Sequence, residues 1–142
     1  MRDFSTPTFL SLLSELKEDN DSILESKING DEFIKLKYFL TGNSYYSVII
    51  DDYLFEISDK TSLLEALYYQ MQLVTVHDLN WDAIEEGIVD FLKSVNDFEG
   101  VCILFKKESI KSTLLNEFNV LSEIIKDLNN RENKKVKIIF GE

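Results

Sequence analysis

The sequence predicts an α/β protein in which a small three-stranded parallel sheet is covered by helices. Runs of apolar and β-branched residues, typical of buried strands, occur near residues 47–57, 101–105 and 136–140. The segments between them carry apolar residues at helical spacing. Because parallel neighbours need crossover connections, helices between apolar strands favour a parallel sheet over a meander.

The chain is long enough for one domain with its own core, since it has 142 residues of which 44% are apolar. No repeat, low-complexity stretch or Pro/Gly linker divides it. The clearest strand and helix signals begin near Ser44. We therefore predict an N-terminal extension over residues 1–43 and an α/β domain over residues 44–142.

The extension begins with a predicted helix. Thr6 is suited to the N-cap position, and Pro7, the only proline, to the first helical position. Apolar side chains follow at helical spacing until the polar stop at 19–21; they are Phe9, Leu12, Leu13 and Leu16.

Residues 22–42 are compatible with two structures. Asn29-Gly30 could form a hairpin turn between Ser22–Ile28 and an alternating strand over residues 34–40. Equally, Asp31 could cap a short helix that ends at Gly42. Both alternatives stay open at the level of the sequence.

From Ser44 onward the pattern predicts six elements. The first element is a strand, or a strand followed by a turn. It is predicted from the apolar and β-branched runs 45–50 and 53–57, which Asp51-Asp52 separates. Ser62-x-x-Glu65 has the spacing of a capping box and predicts a helix start. The apolar face of this helix consists of Leu64, Leu67, Tyr68 and Met71. The later predicted elements are a helix over about 80–95, a strand over 101–105, a helix over about 112–129 and a strand over 136–140.

The charge of the chain limits its partners. Fifteen basic and 26 acidic residues give a formal net charge of −11. This charge repels nucleic-acid phosphates and anionic lipid headgroups, so we expect neither nucleic-acid nor membrane-surface binding. It favours encounter with a basic protein, although acidity also serves simply to keep a cytosolic protein soluble.

Cysteine usage and the N-terminus indicate a cytoplasmic protein. Cys102 is the only cysteine, which excludes an intramolecular disulfide and a thiolate metal cage. The chain does not start with a basic segment followed by an apolar one, and it has no apolar run of about 18 residues. Cys102 lies within an apolar strand, so we expect it to be buried and unreactive.

The residues needed for common catalytic and cofactor sites are missing. His77 is the only histidine, which excludes a histidine metal pair. No glycine-rich phosphate loop is present. Asp78, Asn80 and Asp82 match positions 1, 3 and 5 of a calcium loop, but Ala83 and Val89 replace its glycine and its final glutamate. We therefore expect no metal, no cofactor and no enzymatic activity.

The most informative segment is the acidic helix predicted from Asn80 to Val95. One side of it is apolar, whereas Asp82, Glu85, Glu86 and Asp90 crowd the other side. Like charges at i,i+4 cost a helix roughly 0.2–0.5 kcal/mol per pair, and Gly87 adds about 1 kcal/mol. Such a helix suits a basic partner, and the absent Gly87 side chain would let a backbone approach closely. The alternative is an acidic face that is merely solvated.

This segment also carries a resemblance to the barstar family of ribonuclease inhibitors. The run Asn80-Trp81-Asp82-Ala83-Ile84, with Glu86 four residues after Asp82, resembles the family's Asn-x-Asp-Ala-Leu pattern and the acid that follows it. Residues 47–51 and 57–59 resemble the family's first strand and the entry to its first helix. The resemblance covers about residues 44–142 and implies a barstar-like fold for them.

The resemblance also implies a function and a site. The family's inhibitors fill a basic nuclease active site with this helix and the preceding loop, so that carboxylates take the place of substrate phosphates. On this basis we expect an immunity protein that neutralises a nuclease toxin in the cytoplasm. The expected partner-binding residues are Asp82 and Glu86 first, then Asp78, Glu85, Asp90, Trp81 and His77.

Two other functions remain compatible with the sequence. One is a barstar-like adaptor or regulator that binds another basic protein. The other is a small enzyme that uses the carboxylates of Asp78, Asp82 and Glu86. For Trp81 we favour packing beside the loop over direct contact with a partner.

Overall fold

The computed structural model describes residues 6–18, 21–51, 56–73, 78–132 and 135–142. In these ranges no helix is both long and apolar enough to cross a membrane. The helices are α1 (Pro7–Glu18), α2 (Phe33–Gly42), α3 (Lys60–Gln70), α4 (Trp81–Ser94), α5 (Glu108–Thr113) and α6 (Leu115–Glu132). The strands are β1 (Ile23–Glu25), β2 (Tyr45–Ile50), β3 (Gly100–Phe105) and β4 (Lys135–Phe140).

The four strands form one parallel sheet in the order β1-β4-β3-β2. All six residues of β3 are buried, because β3 has a strand on each side and helices on both faces. The predicted α/β class is confirmed, and so is the prediction that residues 101–105 form a strand covered on both faces.

The prediction of three strands is corrected by β1. This strand lies within residues 1–43 and pairs with β4 at the edge of the sheet, with Ile23 opposite Ile138. A strand of three residues is too short to show an alternating pattern, and its partner lies more than a hundred residues away. The residues predicted to precede the sheet thus supply one of its strands, together with α1 and α2.

The two alternatives for residues 22–42 are also resolved. Residues 30–32 form one turn of 3₁₀ helix, and α2 then runs to Gly42, so the helical alternative is confirmed. The capping side chain is Asn29 and not Asp31, since Asn29 Oδ1 accepts a hydrogen bond from the Asp31 amide at 2.9 Å. The hairpin alternative is wrong for this segment.

Helices cover both faces of the sheet, and the sheet separates the core into two layers. On one face, α3, α4, α5 and α6 pack against side chains such as Ile103 and Phe105 of β3. On the other face, α1 and α2 pack against Cys102, Leu104 and Ile139. The layer under α1 and α2 includes a tilted contact between Phe9 and Phe39, whose ring centroids lie 5.6 Å apart.

Strand β2 is shorter than the predicted strand near 47–57. It ends at Ile50, where the side-chain amide of Gln70 continues the strand pairing in place of backbone. The Asp51 amide donates to Gln70 Oε1 and Gln70 Nε2 donates to the Asp51 carbonyl, both at 2.7 Å. Residues 52–55 lie outside the described ranges, and residues 56–58 are not in a strand.

Two helix boundaries also differ from the prediction. Helix α3 begins at Lys60 with Asp59 as its N-cap. Ser62 is the third residue of the helix, and its side chain completes a reciprocal capping box with Asp59 rather than acting as the cap itself. The helix predicted over 112–129 is two helices, α5 and α6, separated by Leu114. Leu114 has φ −116° and ψ 34°, which interrupts the helical backbone at that residue.

Candidate functional site

Helix α4 is held firmly at its N-terminus and along one side. The Asn80 side chain accepts a hydrogen bond from the Ala83 amide at 2.8 Å, as expected for an N-cap. Ala83, Ile84, Ile88 and Leu92 are buried against the sheet layer. The opposite side of the helix therefore has a fixed orientation toward solvent.

Four of the polar residues near this N-terminus line one open hollow of about 420 Å³. The hollow is lined by Asp78 and Asn80 before the helix, by Asp82 and Glu86 in the first two turns of the helix, and by Ala83. All four polar residues are exposed. The structure thus brings together three of the seven residues predicted to bind a partner, and it adds Asn80, which the sequence suggested only as a cap.

Glu85 and Asp90 are not part of this hollow. Glu85 lies on the flank of α4 that faces α6, where its carboxylate is 3.7 Å from the guanidinium of Arg131. Asp90 is exposed one turn beyond Glu86. The sequence does not reveal the contact with Arg131, because the two residues are far apart in the chain. Glu85 is therefore oriented by α6 and not by the hollow.

Trp81, the first residue of α4, joins this helix to α6. Its indole N–H donates a hydrogen bond to Glu117 Oε2 at 3.1 Å, and its ring is half-buried against the core. These contacts agree with the packing role favoured for Trp81. Glu117 is a supporting residue that sequence reasoning missed, since nothing in the local pattern connects two positions 36 residues apart.

Gly87 has a structural role that differs from the one suggested by the sequence. It is buried, and a Cβ atom placed on it would lie 3.0 Å from the Cβ atom of Leu73. The close approach that the missing side chain allows is therefore made by the protein's own core after α3. It does not bear on a partner at the acidic face.

Two further predicted residues complete the description. Cys102 is fully buried in β3, and this burial raises the pKa of its thiol far above the ordinary value. His77 lies outside the described residues. Among the residues that the structure describes, no group of three His, Cys, Asp or Glu side chains could hold a metal ion.

Comparisons with protein family models, with curated proteins and with solved structures find no match to this chain.

Proposed function

We propose that the chain is an immunity-type inhibitor, which binds the basic active site of a cognate nuclease toxin through α4 and the residues just before it. The observation that carries the proposal is the hollow at the start of α4, where Asp78, Asp82 and Glu86 present carboxylates together. The sequence resemblance of residues 80–86 to the barstar family supplies the class of partner.

The geometry of the hollow favours a rigid protein contact. Asp82 and Glu86 are separated by one helical turn, so their carboxylates project from the same side of α4. The Asn80 cap and the Trp81–Glu117 hydrogen bond hold the first turn of this helix in place. Little backbone ordering of this turn is then needed on binding, which lowers the entropic cost of association.

The charge of the site favours a cationic partner. Neither Asp78 nor Asp82 has an ion-pair partner among the described residues. With a net charge of −11, the chain attracts a basic surface over long distances and accelerates encounter with it. Because the active site of a nuclease must attract phosphates, its basic residues are suited to pair with carboxylates held at fixed spacing.

The proposal is tested by partner capture followed by binding kinetics. The wild-type protein should capture a basic nuclease from native lysate and suppress its activity, whereas the double variant Asp82→Ala/Glu86→Ala should not. The matched control is Glu15→Ala/Glu18→Ala, which removes two exposed carboxylates from α1 on the other side of the sheet.

The size of the effect distinguishes a buried contact from a peripheral one. Truncating a carboxylate that enters a desolvated basic site should cost about 2–5 kcal/mol of binding free energy, mainly through faster dissociation. If the carboxylates lie at the solvated rim of the interface, each carboxylate should contribute only about 0.2–1 kcal/mol to the binding free energy. If the double variant binds the captured partner as tightly as the control does, the interface lies elsewhere and the proposal is wrong.

A further inference from the structure

A second hollow adjoins the acidic hollow at Trp81. Asn80 and Asp82, the chain neighbours of Trp81, line the acidic hollow. Glu117, whose carboxylate accepts the hydrogen bond of the Trp81 indole at 3.1 Å, lines the second hollow. The two hollows therefore lie within one side chain of each other. A protein that covers the acidic hollow and extends past Trp81 meets the second hollow next.

The second hollow is close to neutral. It has a volume of about 520 Å³ and lies between the start of α3 and the junction of α5 and α6. Its charged residues are two acids, Asp59 and Glu117, and one base, Lys60. The Asp59 carboxylate accepts a hydrogen bond from the Ser62 amide at 2.8 Å, so both acids are already bonded within the chain. The uncharged polar residues of the lining are Ser58, Ser112, Thr113 and Asn116.

Leu115 adds an exposed apolar side chain to this hollow. It is the first residue of α6 and is 51% exposed, whereas Leu114 beside it is buried. Its neighbours in the lining are hydroxyl and amide groups, which can both donate and accept hydrogen bonds. An apolar contact enclosed by neutral polar groups is typical of the centre of a protein interface, where charged residues are depleted. The second hollow thus suits an uncharged segment of a protein.

The acidic hollow alone is too small for a stable complex. It is lined by five residues, whereas a specific interface usually involves roughly 20–30 residues on each side. The remaining contact surface must be continuous with the hollow, and the Trp81–Glu117 hydrogen bond joins the second hollow to it. Carboxylates alone also attract any basic surface, so a neutral contact beside them would supply selectivity.

We infer that the nuclease bound at the acidic hollow also places an uncharged loop in the second hollow, with an apolar side chain against Leu115. This inference rests on the proposed function, because it assigns a further contact to the same partner. The two contacts differ in their response to salt. Screening weakens the attraction to Asp82 and Glu86, but it leaves the burial of apolar surface on Leu115 nearly unchanged.

The test uses the nuclease that the wild-type chain captures from native lysate, identified by mass spectrometry and then purified. Leu115→Ala should accelerate its dissociation about fivefold, and by a similar factor at about 0.1 M and about 1 M salt. The effect of Asp82→Ala/Glu86→Ala should shrink at the higher salt concentration. Val120→Ala is the matched control, since Val120 is 40% exposed on the same helix and does not line the hollow.

A second pair of variants separates apolar contact from charge. Leu115→Glu adds a carboxylate beside the acidic hollow, which would strengthen binding if the partner responded to negative charge alone. An apolar contact predicts the opposite, a loss of affinity of about tenfold or more. Val120→Glu makes the same charge change outside the hollow and should bind at least as tightly as wild type. An acid in the first turn suits the helix dipole, and circular dichroism verifies the fold of each variant.

The outcomes distinguish this inference from the proposed function. If Asp82→Ala/Glu86→Ala loses binding but Leu115→Glu binds as tightly as Val120→Glu, the second contact is wrong and the proposed function stands. The same conclusion follows if the effect of Leu115→Ala disappears at high salt. If the wild type captures no nuclease, or if the acidic double variant binds like wild type, both are overturned.

Discussion

The indole nitrogen of Trp81 lies 3.1 Å from Oε2 of Glu117, so the first residue of α4 is tied to the first turn of α6. This contact positions the helix that carries Asp82 and Glu86 relative to the sheet. The acidic hollow is thus oriented by a residue that does not line it.

The first prediction concerns this contact. Glu117→Ala should lower the free energy of unfolding by about 1 kcal/mol, because it leaves a half-buried indole N–H without its acceptor. Chemical denaturation measures the loss, and the emission of Trp81, the only tryptophan, reports its changed surroundings. Glu123→Ala, at an exposed ion pair with Lys126 on the same helix, is the control and should cost less than about 0.5 kcal/mol. Equal losses in the two variants would contradict a specific role for Glu117.

The second prediction compares two helical glycines. In Gly87→Ala the new Cβ would lie 3.0 Å from the Cβ of Leu73, which is fixed to the backbone and cannot rotate away. The free-energy cost of overpacking, about 1–3 kcal/mol, should then exceed the gain of about 1 kcal/mol from the higher helix propensity of alanine, so the protein becomes less stable. Gly42→Ala meets no atom within 4 Å and should instead raise the free energy of unfolding by about 0.4–1 kcal/mol. Thermal or urea unfolding of both variants measures the sign of the change in the free energy of unfolding. A Gly87→Ala protein more stable than wild type would contradict the prediction.

The third prediction is a pH dependence at the start of α3. The Ser62 backbone amide, followed by the Ser62 hydroxyl, donates to Asp59 and lowers the pKa of that carboxyl below its ordinary value. The ionised cap therefore stabilises the fold at pH values above the unfolded pKa, and this contribution is lost as the pH falls through the lower, folded pKa. Asp59→Ala should accordingly be destabilising at neutral pH, and the difference from wild type should shrink on acidification.

The control for this pH dependence is Asn80→Ala, which removes a cap that does not titrate. It should cost about 1 kcal/mol at every pH. Urea unfolding of the three proteins across a pH series provides the comparison. A difference between wild type and Asp59→Ala that does not change with pH would exclude the ionised cap as its source.

The fourth prediction is that the Cys102 thiol does not react in the native protein. Burial raises its pKa, so almost no thiolate forms at neutral pH, and the side chain is inaccessible to reagents. A thiol reagent should label the native chain only as fast as it opens, and labelling should accelerate sharply in denaturant. Rapid stoichiometric labelling without denaturant would contradict the burial of Cys102 in β3.

Prediction from sequence succeeded where the signal is local and failed where it depends on distant residues. Residues 101–105 were recognisable as a strand because both faces are buried, which leaves an unbroken apolar run. The start of α4 was recognisable because Asn80 is a cap. By contrast, β1 is too short to show a period and is specified by its pairing with β4.

The same distinction applies to the candidate site. Helical spacing alone places Asp82 and Glu86 on one side of α4, and the structure shows both at one hollow. The same spacing could not separate Glu85 from them, because its orientation depends on Arg131 of α6. Local patterns thus indicated which residues are acidic and adjacent, whereas tertiary contacts decided which of them converge.

The pairing of β1 with β4 has a consequence for how the protein is made. Residues 23–25 leave the ribosome long before their partners at residues 138–140, because more than a hundred residues separate the two strands. The edge strand can therefore join the sheet only after β4 has been translated, whereas β2 and β3 can pair earlier. A ribosome that stalls before β4 would hold a nascent chain in which this segment has no native partner, and chaperones would meet it in that state.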